Sequence, residues 1–183
     1  GSMPDIPFDY LATTRETVAS EWQYPYVSYA GEDFQCKTNK NSTGTDVWLQ
    51  GYTLVTPNDQ AAIMDALAFN GPLAIVVDAT GWSSYQGGIF TGCNFATRNI
   101  SFDHVVQLVG YGTDEESQQD YWVVRNSWGP TWGEQGYIRI LRHATEQCGY
   151  NSNTADCRGN TTANQRACGP CGMFFDAVYP KVT

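Results

Sequence analysis

Between residues 102 and 137 the chain reads Phe102-Asp103-His104-Val105-Val106, then Val109-Gly110-Tyr111-Gly112, then Tyr121-Trp122-Val123-Val124-Arg125-Asn126-Ser127-Trp128-Gly129, then Trp132-Gly133-Glu134-Gln135-Gly136-Tyr137. Val105 to Tyr111 is an apolar run with one polar interruption, Gln107. Tyr121 to Arg125 is short and β-branched. Both read as strands. Residues Tyr111 to Tyr121 join them, so the two strands are neighbours. His104 enters the first strand and Asn126 leaves the second, which lets the two side chains meet across adjacent strands. Gly136 to Leu141 alternates, Tyr137 and Arg139 to one side and Ile138 and Ile140 to the other, as a half-buried strand does.

Outward from this block the pattern stays β-rich. Val47 to Val55, Leu73 to Val77 and Met173 to Tyr179 read as strands. Trp82 to Phe90 reads as a turn at Gly87-Gly88 followed by an extended segment. One helix is clear. Thr56 can cap it, Pro57 suits its first position and Asp59 faces the positive end of its dipole. Ala62, Ile63, Ala66 and Leu67 make its apolar face, and Gly71-Pro72 stops it. Phe8 to Ala12 could end a second helix. Residues 31–46 read as a polar loop around Cys36, and 143–170 as polar and irregular with three cysteines. The implied fold class is α+β, mainly antiparallel β, with a first region at 1–45 and a β-rich domain at 46–183.

Composition narrows the function. Of 183 residues, Lys and Arg number 10 against 19 Asp and Glu, a formal net charge of −9. Nucleic-acid binding needs clustered cations, and none are present. No apolar run is long enough to span a bilayer, so a membrane partner is not expected. Gly1-Ser2-Met3 reads as a cloning scar followed by an initiator methionine. Six cysteines favour an oxidising compartment. Sequons at Asn41, Asn99 and Asn160 agree with it and mark candidate glycosylation sites. A secreted, vacuolar or lysosomal protein is therefore expected.

The 102–137 block resembles the C-terminal half of papain-like cysteine proteases. The Asp103-His104…Gly110-Tyr111-Gly112 element and the Arg125-Asn126-Ser127-Trp128-Gly129…Trp132-Gly133-Glu134 element occur in the expected order and separation. Tyr24-Pro25-Tyr26, Tyr85…Gly88-Ile89-Phe90 and Cys171-Gly172…Tyr179-Pro180 extend the likeness over nearly the whole chain from about residue 8. The resemblance implies the right-hand, β-barrel-like domain of that fold with a short remnant of the helical left domain at 1–45. A cysteine protease needs an imidazole that accepts and returns the thiol proton, and a neutral group that fixes the imidazole's orientation and tautomer. The resemblance gives these roles to His104 and Asn126. It makes Trp128 the cover of their hydrogen bond and Trp132 part of the leaving-group wall. Val76 and Phe102 would line an apolar pocket with Asp176 at its base, admitting Arg or Lys as well as a hydrophobic group. The other reading of Asp176 is a solvent-facing carboxylate. Asp103 would offer its backbone carbonyl beside the scissile bond. A disulfide between Cys93 and Cys171 is implied, and Cys36 resembles a cysteine that bridges to the helical domain. His143 has no matching motif and reads as surface.

The family's nucleophile lies in a Cys-Gly-Ser-Cys-Trp-like segment, with an oxyanion-hole glutamine upstream. The 183 residues contain neither, and Tyr24-Pro25-Tyr26 corresponds to sequence beyond that segment. Cys168-Gly169-Pro170-Cys171 matches a thioredoxin-like redox motif, but a polar loop precedes it where a strand should stand. A zinc site from Cys148, Cys157, Cys168 and Cys171 has poor spacing and no supporting histidine. No metal or cofactor is expected. The expected function is the His- and Asn-bearing part of a cysteine endopeptidase acting on peptides or proteins, inactive by itself. Alternatives are a non-catalytic pseudo-protease that binds through a half-cleft, and one chain of a two-chain enzyme. An exposed apolar face would also favour the missing half or a second copy as partner.

Overall fold

A computed structural model of the chain describes residues 2–35, 47–93, 99–151 and 164–182. Cys36, Asn41, Cys157 and Asn160 lie outside these. The chain divides into two units, Gly1–Pro7 with Thr53–Tyr179, and Phe8–Tyr52 with Pro180–Thr183.

Helix α1, Asp5–Thr14, starts earlier and ends later than the apolar stretch Phe8 to Ala12 alone suggests. In the smaller unit the loop residues Trp22 and Tyr29 are 94% and 84% exposed, and Tyr26 and Tyr29 meet edge to face at 4.9 Å. Strand β1, Leu49–Leu54, follows. Helix α2 spans Gln60–Asn70 and buries Ile63 and Ala66. Its N-cap is Asp59, whose carboxylate accepts from Ala62 N at 3.0 Å; the expected cap Thr56 lies too early. The cause is Asn58, left-handed at φ 58°, which delays the helix. The Asn58 amide donates to Arg166 O at 3.1 Å and accepts from Cys168 N at 2.8 Å, so the delay joins this turn to the far end of the chain.

Strands β2 (Leu73–Val77), β3 (Ile89–Phe90), β4 (Asn99–Ile100), β5 (His104–Thr113), β6 (Asp120–Arg125), β7 (Tyr137–Leu141), β8 (Cys148–Asn151), β9 (Gln165–Cys168) and β10 (Ala177–Val182) complete the fold. The larger sheet runs β1-β10-β2-β5-β6-β7-β3, and a smaller one runs β4-β8-β9. β2–β5, β5–β6 and β6–β7 are antiparallel, while β3 lies parallel to β7. Leu73, Ile75 and Val77 of β2, Leu108 of β5, Trp122 and Val124 of β6, and Ile138 and Ile140 of β7 are all fully buried. They form one core face under α2, as the period-2 reading requires.

Two expectations need correction. The 143–170 segment holds a β8–β9 hairpin, with Cys148 directly opposite Cys168 and disulfide-bonded to it. Its polar composition hid this, because cross-strand covalent and backbone pairing replaces apolar patterning here. The last strand begins at Ala177, not Met173. Gly169, Cys171 and Gly172 have φ of 78°, 52° and 77°, and they fold Pro170–Gly172 into a 3₁₀ turn that drops Met173 and Phe174 into the core.

Arg139 locks the sheet to the loops above it. Its guanidinium makes two bonds to Glu134, at 2.9 and 2.8 Å, and a third to Asp114 at 3.0 Å. Glu134 Oε1 also accepts from Gly88 N at 2.8 Å. Hydrogen bonding from Arg139 holds the Glu134 carboxyl below its ordinary range, against the opposing effect of burial. A carboxyl depressed in the fold stabilises above its unfolded pKa, and that contribution disappears as pH falls through the folded value. Arg139→Met is expected to cost about 1 kcal/mol at neutral pH after allowing for solvent screening. The gap in melting temperature between wild type and variant should close as pH falls below the ordinary glutamate range. A gap that stays constant with pH would contradict this reading.

The two disulfides should differ in weight. Cys93–Cys171 closes a separation of 78 residues and Cys148–Cys168 one of 20. Chain entropy then assigns about 4.5 and about 3 kcal/mol respectively. Urea denaturation of the two double Cys→Ser variants should show the Cys93/Cys171 variant less stable by about 1 kcal/mol. The reverse order would mean that native packing outweighs loop closure.

Candidate active site

His104 is the first residue of β5, and Asn126 follows the last residue of β6. Gln107 pairs with Arg125 in the β5–β6 ladder. Extending that pairing three residues outward, past the end of β6, sets His104 across from Trp128, with Asn126 two residues inside it. Asn126 N donates to Gly136 O at 2.9 Å, which fixes the backbone just past β6. His104 Nε2 then lies 2.8 Å from Asn126 Oδ1. Ser127 N–H donates to the same Oδ1 at 2.7 Å. A backbone N–H can only donate, so the shared atom is the amide oxygen. The imidazole therefore donates through Nε2–H, and the neutral ring leaves its Nδ1 lone pair available as a base. Asn126 is 9% exposed, and its Nδ2 has no hydrogen-bond partner among the described residues.

Two tryptophans meet the imidazole, and a third packs on both of them. Trp128 stacks on the imidazole at 5.3 Å with planes 25° apart. Trp82 presents an edge to it at 6.4 Å and is fully buried. Trp132 packs against both, at 5.1 Å from Trp128 and 6.4 Å from Trp82, and its Nε1 donates to Trp82 O at 3.2 Å. The Trp132 loop turns at Gly133, where φ is 55° and a Cβ would lie 2.6 Å from Tyr137 O. Only glycine fits there. Sequence reading placed Trp128 and Trp132 but passed over Trp82. The available signal was its place three residues before Tyr85, whose ring also packs on Trp132 at 5.6 Å.

Of the residues assigned to the substrate pocket, Val76 and Asp176 are in contact, while Phe102 packs on other neighbours. Val76 is buried on β2, and its N–H donates to Asp176 O at 3.3 Å. Phe102 stacks on Phe175 at 4.9 Å, a neighbour that the sequence reading did not single out. A Cβ on Gly172 would lie 2.7 Å from the Phe102 ring, so the glycine permits that approach. Asp176 is 4% exposed, which removes the solvent-facing alternative. Asp103 donates its N–H to Val77 O at 3.2 Å, and its carboxylate accepts from Ala79 N at 2.9 Å.

Cys93 is bonded to Cys171, whose Sγ accepts from Trp82 Nε1 at 3.4 Å. Cys168 and Cys171 therefore each have a different partner, and the Cys168–Cys171 motif is not a dithiol pair. Glu146, Cys148 and Cys168 place ligand atoms within 4.8 Å of one another, but both sulfurs belong to one disulfide and are not available as thiolates. His143 is half-buried and offers its carbonyl to Gln60 Nε2 at 3.4 Å, far from any role like that of His104.

Residues 1–158 match the family described as "Papain family cysteine protease". The chain is 41% identical over 149 residues to a cysteine proteinase of Trypanosoma brucei brucei, covering 81% of this chain and 31% of that protein. It is 38% identical over 151 residues to a cathepsin L-like protein of Caenorhabditis elegans, covering 81% and 42%. The chain thus spans less than half the length of these relatives. Among solved structures, the bromelain protease from Ananas comosus in complex with the E64 inhibitor superposes with a TM-score of 0.72 at 30% identity, covering 99% of this chain and 70% of that one. The fold is the α+β, mainly antiparallel fold of the papain-like right domain, and the chain belongs to the papain family of cysteine proteases.

Proposed function

We propose that this chain supplies the general base and its orienting amide to a cysteine endopeptidase whose thiol comes from another segment or polypeptide. The observation that carries this is the convergence of His104 Nε2–H and Ser127 N–H on Asn126 Oδ1. His104 Nδ1 takes the thiol proton, and the thiolate adds to the scissile carbonyl. The resulting imidazolium returns the proton to the departing amine, leaving an acyl-enzyme. The neutral imidazole left behind then takes a proton from water, which attacks the thioester carbonyl, and the proton passes back to the thiolate as the acid leaves. Asn126 holds the ring in one tautomer throughout, and Trp128 and Trp132 keep water from that bond. Phe102, Val76 and Asp176 form the pocket for the residue two before the scissile bond, and the Asp103 carbonyl faces the substrate backbone. Peptides or proteins are the substrates, and the chemistry needs no cofactor or metal.

Val105, Trp128 and Tyr137 are 39%, 41% and 37% exposed and leave apolar surface open on the larger unit. The nucleophile-bearing part, or a second copy, is the partner that would cover it. The disulfides favour a secreted, vacuolar or lysosomal setting. Among the described residues, no helix is long and apolar enough to cross a membrane. Asn99 begins β4 with its side chain exposed, a glycosylation site in keeping with that route; Asn41 and Asn160 are the other two.

The 183-residue chain incubated with fluorogenic dipeptide substrates and a thiol should give no turnover. Turnover abolished both by a cysteine-directed inhibitor and by His104→Ala would overturn the proposal. Joined to a nucleophile-bearing N-terminal part, the chain should become active, and His104→Ala should then reduce kcat about 10²- to 10⁴-fold. In that active form, Asp176→Asn should lower kcat/KM for substrates with Arg in the pocket about tenfold relative to Leu. Equal loss for both substrates would remove Asp176 from the specificity assignment.

A further inference from the structure

Outside the residues already assigned, one side chain reaches both segments that frame His104. Asp78 follows β2 and is half-buried. Its Oδ1 accepts from Thr80 N at 3.0 Å, and its Oδ2 accepts from Ser101 N at 3.1 Å. Its own N–H donates to Cys171 O at 3.0 Å. Asp103 answers from the other side, its carboxylate taking Ala79 N at 2.9 Å. Each segment thus lends one carboxylate to the backbone of the other. The 78–81 turn is held by Asp103, and the 101–103 segment is held by Asp78. This is the logic of a capping box applied between two loops, with backbone donors satisfied reciprocally.

The two segments carry the walls of the site. Trp82 ends the turn, with Trp82 N donating to Ala79 O at 3.0 Å, and it presents its edge to His104. Phe102 lies within the other segment, and His104 directly follows it. We propose that Asp78 is a positioning residue for His104: its carboxylate fixes Ser101 against the 78–81 turn, and so sets the imidazole between Trp82 and Trp128. This rests on the reading of His104 as the base. Its test reads the geometry of the ring without any turnover, so either claim can fail while the other stands.

The experiment follows the imidazole C–H resonances of the 183-residue chain by ¹H–¹³C NMR, with His143 as the internal reference. In wild type, stacking on Trp128 should hold the His104 ring protons upfield. Asp78→Ala should move them downfield toward exposed-histidine positions and leave His143 unmoved. Asp78→Asn, which keeps one acceptor oxygen, should move them by a smaller amount. Ile63→Val, a buried change on α2 that removes none of these hydrogen bonds, controls for lost stability and should move neither histidine. An unmoved His104 in Asp78→Ala, or an equal shift in Ile63→Val, would overturn the proposal. Failure of both Asp78→Ala and Asp78→Asn to fold would overturn it too, because Asp78 would then be a folding residue and not one that positions the base.

Discussion

A single oxygen, Asn126 Oδ1, receives two N–H groups that the fold delivers from different directions. One comes from the backbone one residue on, the other from an imidazole 22 positions away. The backbone bond pins the amide so that only its oxygen can face His104. The imidazole must then donate through Nε2, and its second nitrogen is left as an acceptor. A flipped amide would face both N–H groups with a donor, so the geometry admits one arrangement. The chemical competence of the site follows from this shared acceptor.

Delivering His104 to that oxygen depends on the β5–β6 ladder. The pairing shifts by one residue between Leu108 and Gly110. Beyond the shift, Gln107 faces Arg125, and His104 comes to lie across from Trp128. An uninterrupted ladder would move the histidine one residue along its partner strand, since register fixes every facing pair. The loops at this end are then braced independently. Arg139 and Glu134 hold the Trp132 loop to β7, and the Cys93–Cys171 disulfide places its sulfur under Trp82 Nε1. The proposed base and its amide sit on strand ends, while the walls around them hang from ion pairs and a covalent link.

Much of this was legible in the sequence, for identifiable reasons. The strands β2, β5, β6 and β7 carry apolar alternation, and that periodicity survives into the core. His104 and Asn126 could be named because the 102–137 block resembles the papain-like pattern, and the two readable strands put them at neighbouring strand ends. The β8–β9 hairpin could not be seen, because its pairing is secured by a disulfide and leaves no apolar pattern. The α2 cap was misplaced from Asp59 to Thr56, because a left-handed Asn58 serves a contact more than a hundred residues away. Trp82 and Asp78 act through distant partners, a histidine ring and a backbone N–H, that no local window contains. The burial of Asp176 and the 3₁₀ turn at Pro170–Gly172 likewise leave no local pattern that a sequence window could show.

The account is tested most directly by the tautomer of His104. Long-range ¹H–¹⁵N NMR of the chain above the titration of the ring distinguishes a protonated from an unprotonated imidazole nitrogen. The account requires a single species, with the proton on Nε2, slow to exchange, and a bare Nδ1. An Nδ1–H tautomer, or a rapidly exchanging mixture of the two, would show that Asn126 does not orient this ring.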